Sequence, residues 1–260
     1  MRIRSVACAV SLLVGVLVGC ATGDAPEQIP TVVTQTNTQS LLARTSNGPD
    51  LSVDPDRLKG TAEVVETNIN ARSCAVIEGC VGGSGKRKLL RFDVVTPNLG
   101  DTDVVMGPPS ESPELYEYSE CHRHYHLKNY ALYELLNLDA SPVLNALGNR
   151  VIGHKQAFCL LDSLKYDPNA GTSHAFTCGN QGITAGWADL YNKELDCQWI
   201  DVTEVPNGNY LLRVSVNVGR VVREGTPGDG DANYDNNSAT VPVTVTDATG
   251  QNGGKPRPSR

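Results

Sequence analysis

Cys121-His122-Arg123-His124-Tyr125-His126 is the stretch from which the rest of the chain can be read. The protein has five histidines, and three of them alternate here; the others are His154 and His174. Successive side chains of a strand point to opposite faces. His122, His124 and His126 therefore project together, with Arg123 and Tyr125 opposite. Imidazole is the commonest metal ligand and suits zinc, copper, iron and nickel. Three surface histidines on a half-exposed strand are the plain alternative, but such clustering in a histidine-poor chain favours a metal. Geometry adds a condition. At ~3.3 Å per residue, the outer two Cα atoms of a flat strand lie roughly 13 Å apart. Three imidazoles reach one ion only if the backbone curves, so a bend, bulge or loop is expected here.

Outward from this run, helical periodicity is scarce. Short apolar and β-branched runs alternate with Gly/Pro/Asn turns, which predicts an all-β, sandwich-like domain with a few short helices. Strands are expected over 89–95, 103–106, 129–136, 210–218 and 239–246. In the 210–218 strand, Tyr210, Leu212, Val214, Val216 and Val218 share one face. Pro242 suggests an edge position for the last strand. Segments 142–147 and 188–195 are expected to be short helices.

The N-terminus reads as a targeting segment. Arg2 and Arg4 precede an apolar run that ends in Leu17-Val18-Gly19-Cys20, which resembles a bacterial lipobox. Residues 1–19 then form a lipoprotein signal peptide, and Cys20 is acylated and holds the protein at a membrane surface outside the cytoplasm. An ordinary signal peptide with secretion, or a transmembrane helix, are the alternatives; the apolar run is short for a span. Residues 20–47 read as a disordered tether, 48–247 as the single folded domain and 248–260 as a disordered tail. The formal net charge is −7; Arg2, Arg4, Lys255, Arg257 and Arg260 lie outside residues 20–250, so that stretch carries −12. This argues against nucleic acid and favours cationic substrates by long-range attraction, if it does more than aid solubility. Leaving out Cys8 and Cys20, six cysteines remain: Cys74, Cys80, Cys121, Cys159, Cys178 and Cys197. An even number in an exported domain reads as three disulfides, with the pairing left open. A Cys/His zinc knot competes, but no close Cys-x-x-Cys pair supports it.

Four segments in order resemble the catalytic domain of the lysyl oxidase family. They are Tyr116-Glu117-Tyr118-Ser119-Glu120-Cys121-His122-Arg123-His124-Tyr125-His126, Gly153-His154-Lys155-Gln156-Ala157-Phe158-Cys159-Leu160, Asp189-Leu190-Tyr191 leading to Asp196-Cys197-Gln198-Trp199, and Gly208-Asn209-Tyr210-Leu211 through Asn233-Tyr234-Asp235-Asn236-Asn237. The resemblance runs from about Pro49 to Val243. It implies that His122, His124 and His126 bind copper, and that Lys155 and Tyr191 cross-link into lysine tyrosylquinone, the catalytic cofactor. It implies the pairing Cys74–Cys121, Cys80–Cys197 and Cys159–Cys178. A further family bridge falls at Lys165 and Trp187, where both halves are replaced, and the family's last bridge near the C-terminus is also absent. A calcium loop is implied at Asp231, Asn233, Asn236 and Asn237 together with Asp50 and Leu51. There Asn233 stands for an aspartate and Asp231 for a glutamate, and an Asx-rich turn without metal is the alternative. Ser119 replaces a family histidine, and Tyr116 and Tyr118 replace tryptophans. Ahead of Gly48 no pro-region or accessory domain like those of animal members is expected, so their substrate docking is not carried over.

The implied activity is oxidative deamination of primary amines, either peptidyl-lysine or small amines, to aldehydes, with O₂ consumed and hydrogen peroxide and ammonia released. Asp189, Asp196 and Asp201 are the acidic residues nearest Tyr191 in the chain, and any of them is a candidate base. Two rivals are set beside this. One is a copper-binding surface lipoprotein that keeps the fold but makes no cofactor. The other is a zinc hydrolase using the three histidines, which lacks a HExxH-like glutamate.

Overall fold

Asp54 opens the first element. Its carboxylate accepts from the Arg57 amide, and Pro55 stands where a helix has no donor to lose, so α1 runs Pro55–Thr61. There follow β1 (Glu63–Ile69), a single turn α2 (Cys74–Ile77), β2 (Gly85–Arg91), β3 (Val94–Pro97), β4 (Val104–Gly107), β5 (Tyr116–Ser119), β6 (His124–Leu127), β7 (Ala131–Leu136), β8 (Leu164–Lys165), β9 (Gln181–Ile183), β10 (Trp187–Tyr191), β11 (Trp199–Asp201), β12 (Gly208–Val216) and β13 (Ser238–Val245). This computed structural model describes residues 48–154, 158–172, 175–225 and 234–247. Lys155, His174, Asp231, Asn233, Cys20 with the segments 1–19 and 20–47, and the 248–260 tail lie outside the described residues. Among the described residues, no helix is long and apolar enough to cross a membrane.

The strands form three antiparallel three-stranded sheets, β1-β2-β11, β3-β10-β8 and β13-β12-β7, and two ribbons, β4-β9 and β5-β6. The protein is all-β with few short helices, as its composition of turns predicts. Its sheets face one main core, to which Leu90 and Ile200, Val94 and Trp187, and Leu135, Leu212, Val214 and Val241 all contribute. Each fully buried aliphatic side chain stabilises the fold by about 1.5–3 kcal/mol relative to exposure. Ala75, Cys80, Leu89, Cys197 and Trp199 make a smaller core beside α2. β13 alternates strictly between exposed and buried residues, and Pro242 sits exposed on this edge strand, where no ladder donor is needed.

Three cysteine pairs are at bonding distance, Cys74–Cys121, Cys80–Cys197 and Cys159–Cys178, with Cα separations of 5.8, 5.4 and 5.1 Å. These are the pairs implied by the family resemblance. Where the family carries its further bridge, Lys165 and Trp187 are direct cross-strand partners of β8 and β10. Facing Cα atoms of an antiparallel pair lie about 4.5–5.5 Å apart, the spacing a disulfide requires. The register thus explains why both halves were replaced together.

Several expectations are corrected. Residues 142–147 form no helix; Leu136 bridges Pro142 and Leu144 bridges Arg150, making an arm turned at Asn145, whose side chain accepts from the amides of Leu147 and Asn149. Residues 188–195 are not helical either. β10 occupies 187–191 as the central strand between β3 and β8, and a turn follows in which Asn192 accepts from the Glu194 amide. The 89–95 run is two strands broken at Phe92 and Asp93. Buried Asp93 takes Arg57 at 2.8 Å and the Lys193 amide at 2.8 Å, fixing the chain just beyond Tyr191. The strand expected over 210–218 ends at Val216. Asn217 adopts a positive φ of 51° and is buried, which turns Val218 out to solvent.

Candidate metal centre and its surroundings

The histidine run is curved. β5 and β6 pair as a hairpin, with Glu117 opposite His126 and Ser119 opposite His124, and residues 120–123 form the turn between them. Arg123 lies in the left-handed region at φ 58°. The three rings come together: centroids are 4.8 Å apart for His124–His126, 5.7 Å for His122–His126 and 5.9 Å for His122–His124. Three imidazoles on one ion, with metal–nitrogen bonds of ~2.0 Å, have centroids about 4.5–5.5 Å apart. The centroids stand near that spacing, but the ring nitrogens of the three do not all come within 4.8 Å of one another, so a shared metal would need the rings to turn. His126 is buried, His122 and His124 are half-buried, and Arg123 and Tyr125 face solvent.

The turn is held from outside. Cys121 is bonded to Cys74 on α2, and Glu78 follows Cys74 by four residues, on the same side of that turn. Glu78 Oε2 lies 3.1 Å from His122 Nε2, and Glu78 Oε1 accepts from the Ser119 hydroxyl at 2.7 Å. Ser119 in turn accepts from the His122 amide at 3.1 Å. A carboxylate on the outer ring nitrogen sets the tautomer and aim of a ligand histidine. Sequence reasoning missed Glu78, which stands far from the histidines in the chain; only the Cys74–Cys121 pairing pointed towards it. Ser119, noted there as a departure, links Glu78 to the turn. Glu78, His126 and His154 line a pocket of about 370 Å³ with Tyr118 and Glu117 at its side. Gly79, at φ 72°, leaves room for the His154 ring: a Cβ there would stand 3.1 Å from His154 Nε2.

The segment after His154 connects this pocket to Tyr191. Gly153 lies so flat on Tyr133 that a Cβ would meet its ring at 2.8 Å. Beyond the undescribed 155–157, Phe158 pairs with Leu127 at the end of β6, its carbonyl accepting from the Leu127 amide at 2.7 Å. The Phe158 ring packs edge-on against Tyr191 at 4.2 Å. The Tyr191 hydroxyl donates a short hydrogen bond to the Cys159 carbonyl. Cys159 and Cys178 place their sulfurs within 4.8 Å of a His124 nitrogen, but both are spent in a disulfide and offer no thiolate. Lys155 lies outside the described residues; its neighbours His154 and Phe158 reach the histidine pocket and Tyr191 respectively.

The three acidic candidates separate. Asp201 accepts from the Gly82 amide and from Thr203, and pairs with Arg87 at 3.8 Å. Asp196 sits in the turn before Cys197 and acts on Arg91. Asp189 is 2% exposed and lies beside the Tyr191 hydroxyl. Burial pushes its carboxyl well above the usual range, and burial likewise raises the Tyr191 phenol, with the neighbouring Asp189 adding to the effect.

A second polar cluster gathers the described members of the loop compared above with a calcium site. Asn236 donates to Asp50 at 2.9 Å, Asn237 donates to Glu224 at 2.6 Å, and Glu224 also accepts from the Leu51 amide at 2.8 Å and from Asn217 at 2.7 Å. The side-chain oxygens of Asn236 and Asn237 are buried with no hydrogen-bond partner. Orphan amide oxygens beside carboxylates make a donor set that suits a hard cation such as calcium. Glu224 is fully buried, and burial raises its carboxyl to about 7. It was not singled out from sequence, since it stands seven positions before Asp231, the first loop residue named there, and nothing local marks it.

Comparison with known proteins agrees with this geometry. The family model described as lysyl oxidase matches residues 49–251. The chain is 33% identical over 188 residues to lysyl oxidase homolog 2 of Mus musculus, covering 68% of this chain and 23% of that protein. It is 34% identical over 183 residues to lysyl oxidase homolog 4 of Homo sapiens, covering 66% and 22%. It is 34% identical over 208 residues to protein-lysine 6-oxidase of Gallus gallus, covering 76% and 46%. The chain thus spans about a quarter to a half of the length of these relatives. A model matching most of the chain, together with the converging histidines and the disulfide set, places this protein in the lysyl oxidase family.

Proposed function

We propose that the protein is a copper-dependent amine oxidase of the lysyl oxidase type. The observation that carries it is the convergence of His122, His124 and His126 one strand pairing away from the Phe158–Cys159 segment on which Tyr191 rests. In this reading the three histidines hold copper, and Lys155 and Tyr191 form lysine tyrosylquinone. Copper and the quinone supply the two-electron oxidation of a primary amine to an aldehyde, with the electrons passed to O₂ as hydrogen peroxide.

The chain's own residues do the rest. Glu78 aims His122, and Ser119 fixes the turn that carries it. Phe158 holds the Tyr191 ring at its edge, and the Cys159 carbonyl holds its hydroxyl. The acidic side chain of Glu117 at the pocket suits an ammonium-bearing substrate: a primary amine or a peptidyl-lysine. The second cluster, Asp50, Leu51, Asn236 and Asn237 with Glu224, and Asp231 and Asn233 from the adjoining loop, holds calcium as a structural ion. Residues 1–19 are a signal peptide and Cys20 carries the lipid, so that the 48–247 domain works outside the cytoplasm on the 20–47 tether.

Copper-loaded protein is expected to show quinone absorbance and amine-dependent peroxide release. Lys155→Ala and Tyr191→Phe each abolish both. Intact-mass measurement of copper-grown protein is expected to show a Lys155–Tyr191 cross-link. Copper bound at the three histidines without that cross-link would instead indicate a copper-binding surface lipoprotein with the same fold.

A further inference from the structure

Asp189 and Tyr191 are two residues apart on β10, so they share a face of the strand. Their polar ends meet: the carboxyl lies beside the phenol oxygen. The phenol proton is directed at the Cys159 carbonyl, which leaves the phenol oxygen free to accept. Asp189 Oδ1 has the Ser163 hydroxyl at 3.4 Å and the carboxyl also faces the Leu161 amide, while Oδ2 is buried with no partner. Ser163 itself is occupied by the Leu190 amide at 2.6 Å. From the packed elements, the titratable groups that face this carboxyl are Tyr191 on its own strand, Tyr130 and Tyr133 at the start of β7 and within it, and Asp162 before β8. Thr96 of β3 is its cross-strand partner. A buried carboxylate needs a donor on each oxygen, and an ionised oxygen without one is strongly disfavoured. As a neutral acid, the same side chain has a proton to donate and an acceptor waiting at Tyr191.

We propose that Asp189 rests as a neutral acid beside the Tyr191 oxygen, gives its proton to that oxygen whenever the oxygen becomes anionic, and takes it back when the oxygen must be deprotonated again. When the ring oxygen takes up a proton, the O–H bond of the Asp189 carboxyl breaks and an O–H bond forms on the ring oxygen. The carboxyl becomes a carboxylate, and no electrons change hands. The reverse transfer restores the neutral acid. The upward shift of the Asp189 carboxyl agrees with this resting state. The role in the finished cofactor rests on the function proposed above; the neutral acid beside Tyr191 does not.

The test reads the proton directly. Infrared spectra of the full, metal-free protein are taken at pH ~9, about two units above the value to which Glu224 is raised, so that Glu224 is ionised. The carbonyl stretch of a neutral carboxylic acid is expected in the native protein and in Glu224→Gln, and is expected to vanish in Asp189→Asn. Absence of that band in the native protein, or its survival in Asp189→Asn, overturns the proposal. The native measurement needs no variant to fold. In copper-loaded protein, Asp189→Asn is then expected to lower kcat about 100-fold or more, with KM for the amine held within about threefold. An unchanged kcat also overturns it. If the native protein shows the band but no Lys155–Tyr191 cross-link, the oxidase reading fails while the proton site at Asp189 stands.

Discussion

The histidine turn and the cluster around Glu224 are both sets of polar side chains pointed at a common centre, yet they are built in opposite ways. The turn draws all three rings from five consecutive residues and leaves two of them half-exposed. Its shape is imposed by a covalent tie, Cys74–Cys121, and by one carboxylate, Glu78. The Glu224 cluster gathers Asp50, Asn217, Glu224, Asn236 and Asn237 from three separate stretches and buries all of them but Asn236, which is half-buried. It is held by its own hydrogen bonds, and what those bonds leave over is two amide oxygens and a carboxyl raised to about 7. The first leaves side chains within reach of solvent. The second is a piece of core that wants a positive charge.

The contrast can be broken most forcefully at the disulfide. Replacing Cys74 and Cys121 together by serine opens a loop of 47 residues and is expected to cost about 4 kcal/mol in urea unfolding. Copper affinity should fall with it, because Glu78 loses its anchor, while calcium binding should not. Equal losses at both clusters would mean that they are one structural unit rather than two.

Glu224 gives the next largest effect. Its carboxyl holds a proton more tightly when folded, at about 7, than in the unfolded chain, whose value is near 4.5. Its contribution is therefore fully present below about pH 4 and is lost as pH rises through 7, a change of about 3 kcal/mol. Melting of metal-free native protein should show this slope relative to Glu224→Gln across pH ~4–8. Calcium should flatten it, since a bound cation stabilises the carboxylate. A calcium-independent slope would count against a cation in this cluster.

Glu78→Gln comes third. Loss of the carboxylate behind His122 should weaken copper binding about 10–100-fold in a competition assay, with stability little changed. Unaltered affinity would leave the aim of His122 to the backbone turn alone. Ser119→Ala is the mildest, removing the hydroxyl that joins Glu78 to the turn, for about 1 kcal/mol of stability.

These differences also mark what the chain discloses in one dimension. The histidine turn was legible because its three histidines fall within five residues and a flat strand could not have brought them together; the demand for curvature came from chain geometry alone. The edge position of Pro242 and the all-β class followed from local pattern as well. The 142–147 and 188–195 segments misled because short apolar runs do not distinguish one helical turn from a strand. Asp189 could not be separated from Asp196 and Asp201, since burial and the identity of facing side chains decide among them and none of that is local. Glu78 and Glu224 were invisible for the same reason: each acts on partners far along the chain.

The pairing of Lys165 with Trp187 has a consequence for how the molecule matures. With both positions cysteine, the described domain would carry eight thiols, and random oxidation could join them in on the order of a hundred ways, against about fifteen for six. In place of the covalent tie stands a largely buried indole whose Nε1 donates to the Gly171 carbonyl at 3.2 Å. That contact forms and breaks without an oxidant, so at this position the fold does not wait on thiol oxidation.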